Sequence, residues 1–287
     1  VSYTNHTVMP EALEKWPTDL FKELLPRIYS IVNEIGRRFN IKLFQQYPND
    51  EALRQSMAIV AGGTVRMANL CVVAAQKVNG VSALHSAIIR DDLFRGFSAM
   101  MPDKFTGITN GIAYRRWLCQ ANPLLTDFIT ALIGDAFKRD ARALEALLSF
   151  VGDGAVLDRL AQIKRANKAR LSDCIYLCNG ILVDPDSIFD VQVKRLHEYK
   201  RQLLNIFHIL YLYNRIKQDP NVEIQPRTFI FGAKAAAGYF MAKQIISLAC
   251  NLSEMLERDN DVRGRIKVVF LENYSVSLSE LIMPAAE

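Results

Sequence analysis

Apolar positions in the first part of the chain recur at helical spacing. Phe21, Leu24, Leu25, Ile28, Ile31, Val32, Ile35 and Phe39 keep one stripe over many turns. Pro26 falls inside that stripe and predicts a break or kink, because proline lacks the N–H donor and crowds the preceding turn. Pro10 is placed to open a helix. Gly62-Gly63 precedes a second apolar run over 65–75, Asn79-Gly80 reads as a turn, and a short helix is expected around 84–89. The first ~95 residues thus read mostly as helix. Periodicity then fades from Met101 to Tyr114, where Pro102, Gly107 and Gly111 alternate with Thr106, Thr109 and Asn110. This is the best candidate for a domain junction, placed between residues 110 and 111. A more polar helical pattern resumes over 117–177.

The last third changes character. Ile188-Phe189-Asp190-Val191-Gln192-Val193 alternates apolar and polar residues, a strand signal. A helix carrying Leu203, Leu204, Ile206, Phe207 and Leu210 follows, then an apolar strand over 228–231 ended by Gly232. A helix over 235–249 and a strand over 266–271 close the series. Strand, helix, strand, helix, strand predicts an α/β fold with parallel pairing and right-handed crossovers.

Composition narrows the classes. Half of the 287 residues are apolar and 23% are charged, which argues against disorder and against a fibrous repeat. The net charge of +5 is a mild excess spread over a long chain that fits an anionic ligand; the densest basic stretch, 194–201, reads as a site rather than a patch, so no nucleic-acid partner is expected. Five scattered cysteines do not form a disulfide framework. Cys174 and Cys178 lack a second pair at zinc spacing, so no metal is expected and a reduced, cytoplasmic setting is the simpler reading. No run approaches the roughly 18 apolar residues of a membrane span. The abrupt ends, Val1-Ser2-Tyr3 and Pro284-Ala285-Ala286-Glu287, read as cuts within a longer protein.

Ligands of open parallel sheets bind beyond the carboxyl ends of the strands. The three predicted strands are followed by Lys194-Arg195-Leu196-His197-Glu198-Tyr199-Lys200-Arg201, by Gly232-Ala233-Lys234 and by Glu272-Asn273-Tyr274. Four cations and a histidine where a strand meets a helix N-terminus oppose the helix dipole unless an anion lies between them. A phosphate suits that place, since arginine offers a planar fork and lysine a compact charge. A solvated basic turn is the plainer alternative. Gly232 permits close backbone approach, but neither a dinucleotide fingerprint nor a P-loop is present. His6, Asn110 and Tyr274, each taken alone, read as ordinary packed, turn or core residues.

Taken together these segments resemble the α-1,4-glucan phosphorylases. The resemblance is carried by Tyr3-Thr4-Asn5-His6-Thr7-Val8-Met9-Pro10-Glu11-Ala12-Leu13-Glu14, Thr109-Asn110-Gly111-Ile112, Arg115-Arg116-Trp117-Leu118, the run from Val191 to Asn205, and Phe270-Leu271-Glu272-Asn273-Tyr274. It extends over the whole chain and implies a fragment of a two-domain B-type glycosyltransferase fold with the active site between domains. Residues 1–110 are then the mostly helical end of the N-terminal, glucan-side domain. Residues 111–287 are the first part of the parallel-sheet, nucleotide-binding-like domain that holds cofactor and phosphate. The implied reaction moves a terminal glucosyl unit of glycogen or maltodextrin to orthophosphate, giving α-glucose 1-phosphate with retention, through an oxocarbenium-like transition state. The implied cofactor is pyridoxal 5'-phosphate, acting through its phosphate, and the implied assembly of the full-length protein is a homodimer.

By the same resemblance Arg195 and Lys200 hold the substrate phosphate, Lys194, Lys234 and Tyr274 lie at the cofactor, and His6, Asn110 and Tyr199 contact the sugar. Two departures matter. Ser275 stands where the animal enzymes place an arginine, which removes one phosphate contact and suggests a bacterial or plant-like member. The Glu-Ala-Ser-Gly…Met-Lys segment with the Schiff-base lysine is not in this chain, so the fragment alone is expected to be inactive. A sugar-nucleotide glycosyltransferase and a non-catalytic glucan- or phosphate-binding module remain as competing readings.

Overall fold

The computed structural model describes Pro10 and residues 13–287. They form two compact units, one ending at Ile112 and the other beginning at Ala113.

The first unit is helical with short strands between the helices. It runs β1 Lys15–Pro17, α1 Thr18–Leu24, α2 Pro26–Gln46, α3 Glu51–Met57, β2 Val60–Ala61, β3 Thr64–Arg66, α4 Met67–Ala74, β4 Val78–Gly80, α5 Ala83–Ile88, α6 Arg95–Met100 and β5 Phe105–Gly107. The break expected at Pro26 is present: α1 stops, and Pro26 takes the first position of α2, where its missing N–H costs nothing. Of the apolar stripe, Phe21, Val32 and Phe39 are buried, with Leu43 one turn further on, in a core shared with Met57, Ile59, Val65, Phe94 and Phe97, whereas Leu24, Leu25, Ile28 and Ile31 are exposed.

The helix-dominated reading overlooked the strands. β2 and β3 form a hairpin whose turn residues Gly62 and Gly63 have φ of 57° and 70°, which glycine adopts without strain. Asn79-Gly80 is not a turn but part of β4, paired in parallel with β5. Strands of two or three residues are too short to show a period of two.

The second unit contains α7 Pro123–Ile133, α8 Gly154–Asn179, β6 Ile188–Val193, α9 Gln202–Gln218, β7 Arg227–Gly232, α10 Phe240–Arg258, β8 Ile266–Leu271 and α11 Val276–Ala285. β6, β7 and β8 form one parallel sheet with β7 in the centre, in register Val193↔Gly232↔Leu271 at the carboxyl end. Both sheet faces are covered, as parallel sheets require. Phe229 and Phe231 face a core with Ile206, Ile209, Ile245 and Leu252 of α9 and α10. Ile230 and Val269 face a second core with Leu171 and Ile175 of α8 and Ile282 of α11. Buried Lys168 on α8 fixes this layer: its Nζ donates to the Ser187 carbonyl at 2.6 Å and the Glu287 carboxylate at 2.8 Å.

Two helix starts differ from the sequence expectation. The helix expected over 235–249 begins at Phe240 and runs to Arg258, leaving 233–239 as a loop around Gly238. The helix after β6 begins only at Gln202, after a 3-10 turn Glu198–Lys200 and Arg201 at φ 60°. The cations therefore lie in a loop before the helix rather than on its first turn. Among the described residues, no helix is long and apolar enough to cross a membrane.

Candidate functional site

The register of the sheet brings three sequence-predicted segments to one edge. Beyond Val193 the chain keeps pairing with the segment after β7: Lys194 N–H donates to the Gly232 carbonyl at 3.0 Å, and Leu196 N–H to the Lys234 carbonyl at 3.2 Å. Leu196 is buried in the α9/α10 core and anchors the middle of the loop. Its neighbours Lys194 and Arg195 are exposed, as is Lys234. The third segment reaches the same place through Tyr274. A Cβ added to Gly232 would meet Val193 Cγ1 at 2.9 Å and the Tyr274 ring at 3.4 Å. Glycine at this position thus lets the strand end lie against both neighbours. The Tyr274 hydroxyl shares a hydrogen bond of 2.9 Å with Ser279 Oγ. Ser275 caps α11, its Oγ accepting the Leu278 N–H.

The far limb of the loop carries aromatic and acidic groups. The His197 ring lies 4.4 Å from the Tyr199 ring and 5.3 Å from the Tyr239 ring, centroid to centroid. Tyr239 donates its hydroxyl to Glu198 at 2.5 Å, and burial together with that carboxylate pushes the phenol above its ordinary pKa. Lys200 Nζ sits 5.6 Å from the centre of the Tyr199 ring. Among the described residues, none of Lys194, Arg195, Lys200, Arg201 and Lys234 is in a salt bridge with a carboxylate. Five unneutralised cations on two adjacent loops repel one another, and an anion between them relieves that repulsion.

This arrangement fits a phosphate group of a substrate or of a cofactor. Backbone close to Gly232, a tyrosine edge and free cations are what such a group needs. Sequence reasoning identified the cations and Tyr274 but not the groups that hold them. Gln192 and Gln202 bind the loop's main chain, Tyr239 binds Glu198 and Asn205 holds Gln192, all from positions that a linear reading leaves mute. One signal was present: Gln202 occupies the first place of the stripe Gln202, Ile206, Ile209, Leu212, Ile216 that α9 buries.

Asn110 belongs to the first unit. It follows β5, and its N–H donates to the Val81 carbonyl at 3.0 Å, while Ile108 N–H donates to the Gly80 carbonyl at 3.0 Å and to Asn79 Oδ1 at 2.9 Å. Val81 in turn donates its N–H to His85 Nδ1, and Ser82 caps α5 by accepting the His85 N–H. α5 packs so closely on the β4–β5 pair that a Cβ at Gly80 would lie 2.2 Å from Ser86 Oγ and 2.6 Å from its Cα. Gly80→Ala is therefore expected to displace α5 and to destabilise the first unit by about 1–3 kcal/mol. Faster hydrogen exchange in β4, α5 and β5, with the β6–β8 amides unchanged, is the readout. His6 lies outside the described residues.

The second unit is a parallel-sheet α/β unit whose strand ends bring together the loops 194–201 and 232–234 and Tyr274. The carbohydrate phosphorylase family model matches residues 1–287. The chain belongs to the carbohydrate phosphorylase family. It is 49% identical over 287 residues to the glycogen phosphorylase of Bacillus subtilis (strain 168), covering all of this chain and 36% of that protein. It is 45% identical over 289 residues to the glycogen phosphorylase of Chlamydia pneumoniae, covering all of this chain and 35% of that protein. It is 46% identical over 289 residues to the liver form of human glycogen phosphorylase, covering all of this chain and 34% of that protein. The chain thus spans about a third of the length of the curated relatives it matches.

Proposed function

We propose that the full gene product carrying this chain is an α-1,4-glucan phosphorylase, a hexosyltransferase that moves the terminal glucosyl unit of glycogen or maltodextrin to orthophosphate and releases α-glucose 1-phosphate with retention. The observation that carries this reading is the set of cations on the adjoining loops 194–201 and 232–234 that, among the described residues, have no carboxylate partner. Relatives named glycogen phosphorylase over the entire chain support it. The two units are read as the end of a glucan-side domain, 1–110, and the first part of a cofactor and phosphate domain, 111–287, of a two-domain B-type glycosyltransferase fold.

In this reading Arg195 grips the substrate phosphate with its planar fork, and Lys200 adds a point charge. Together they lower the repulsion between two phosphates brought close to each other and stabilise the negative charge left as the glycosidic bond breaks. Lys194, Lys234 and Tyr274 hold the cofactor phosphate. Pyridoxal 5'-phosphate, when bound, supplies a phosphate group that exchanges a proton with the substrate phosphate. No lysine of this chain is assigned to the Schiff base. His6, Asn110 and Tyr199 select the sugar through its hydroxyls, and a site built for those hydroxyls rejects sugars without them. The family reading also carries a homodimeric assembly in the cytoplasm.

The test is a product assay. The full gene product, incubated with maltodextrin and orthophosphate, is expected to release glucose 1-phosphate whose anomeric proton signal is that of the α form. Release of free glucose instead, or turnover of a nucleoside-diphosphate sugar without phosphate, would sink the reading.

A further inference from the structure

We propose that Gln192 and Gln202 are positioning residues that hold the loop 194–201 in its phosphate-binding shape. The inference rests on the phosphorylase reading above and adds to it two residues whose side chains bond to the loop's main chain.

The loop has a problem that its sequence creates. Lys194, Arg195, Lys200 and Arg201 bracket an eight-residue excursion, with Lys234 on the neighbouring loop. In the absence of an anion these charges drive the two limbs apart. A loop that spreads when empty must be gathered again at each binding event, and that ordering subtracts from phosphate affinity. Ties to the backbone remove this cost without neutralising the cations.

The structure supplies one tie to each of the two proposed phosphate-holding residues, at the main chain rather than at the side chain. Gln202 is only 2% exposed, and its Nε2 donates to the Arg195 carbonyl at 3.2 Å. Gln192 Nε2 donates to the Lys200 carbonyl at 3.2 Å, and its Oε1 accepts Asn205 Nδ2 at 3.1 Å. Both carboxamides stand on regular elements, Gln192 in β6 and Gln202 at the start of α9. Arg195 and Lys200 are thus referred to the sheet and to the helix at once. The left-handed backbone of Arg201, at φ 60°, makes the turn that lets Lys200 O face Gln192 while the chain enters α9.

One detail sets Gln202 apart from an ordinary core residue. Its Oε1 is buried and, among the described residues, has no hydrogen-bond partner. Turning the amide over would set two acceptor oxygens against each other at Arg195, so the amide is held in the orientation that leaves its own oxygen unsatisfied. An apolar side chain of the same size would avoid that penalty. A glutamine kept there at such a cost is explained by what its N–H does for the loop.

The orphaned oxygen also makes the test discriminating. Gln202→Met preserves volume, removes the bond to Arg195 O and removes the unsatisfied oxygen, so the two effects on stability oppose each other. In the full gene product, Gln202→Met and Gln192→Met are each expected to raise KM for orthophosphate about tenfold, as displacement of a binding group does. KM for maltodextrin should stay within about twofold, and the unfolding midpoint of Gln202→Met should stay near that of the parent. Unchanged phosphate KM in both variants overturns the proposal. So does a parallel rise of both KM values with a falling midpoint, which is the mark of a merely structural role. The phosphorylase reading fails separately, on the product assay or on Arg195→Ala.

Discussion

Arg195→Ala in the full gene product is expected to lower kcat/KM for orthophosphate by about 10³-fold, the scale of losing one preorganised group that meets developing charge. The geometry makes this a clean experiment. Arg195 is exposed, and among the described residues its guanidinium forms no salt bridge, while its carbonyl is the group that Gln202 holds. Truncating the side chain therefore leaves the loop's backbone ties intact, and the unfolding midpoint should not move. Arg195→Lys should recover only part of the loss, because an ammonium keeps the charge but not the two-pronged fork. Steady-state kinetics with phosphate and maltodextrin varied in turn provide the measurement. Activity within a few-fold of the parent in Arg195→Ala would remove Arg195 from the site, and with it the principal reason to place phosphate at this loop.

How far the fold was legible depends on element length. β6, β7 and β8 are six residues each, and the sequence expectations for them differ from the structure by at most one residue at either end. Parallel pairing followed from helices alternating with strands. In contrast β2 has two residues and β4 three, too short to show alternation, and β4 moreover pairs with β5 far along the chain, as Asn79 Oδ1 accepting Ile108 N–H illustrates. The site shows the same division. Its cations were visible because they are consecutive and charged. Its supports were not, since Gln192 at a polar position of an alternating strand reads as solvated, and Tyr239 meets Glu198 across 41 residues. Arg201 with positive φ was equally hidden: a non-glycine residue enters that region only when the surrounding bonds require it.

Phe229→Ala should produce the largest loss of stability. Phe229 is fully buried in the central strand, opposite Asp190 of β6 and Val268 of β8, and packs in the core built by α9 and α10. The His208 ring meets it edge-on at 6.0 Å, and the Arg227 guanidinium lies 5.8 Å from its ring centre. Removing a phenyl ring from such a place costs about 3–5 kcal/mol, part from transfer of the ring and part from the cavity left behind. The neighbours are a sheet and two long helices, which cannot collapse readily into the space. At about 1.4 kcal/mol per tenfold, β6–β8 amides that exchange through opening of this unit should lose protection by a hundredfold or more. The amides around Phe39 and Phe97 in the first unit serve as the internal reference and should be unchanged. Ile230→Val on the opposite face of the same strand removes one methylene and should cost only about 0.5–1.5 kcal/mol. Because β7 ends at Gly232, whose carbonyl receives Lys194 N–H, the Phe229 variant should also weaken phosphate binding, whereas Ile230→Val should not. Equal small losses in both variants would mean that the sheet is not the structural base of the site.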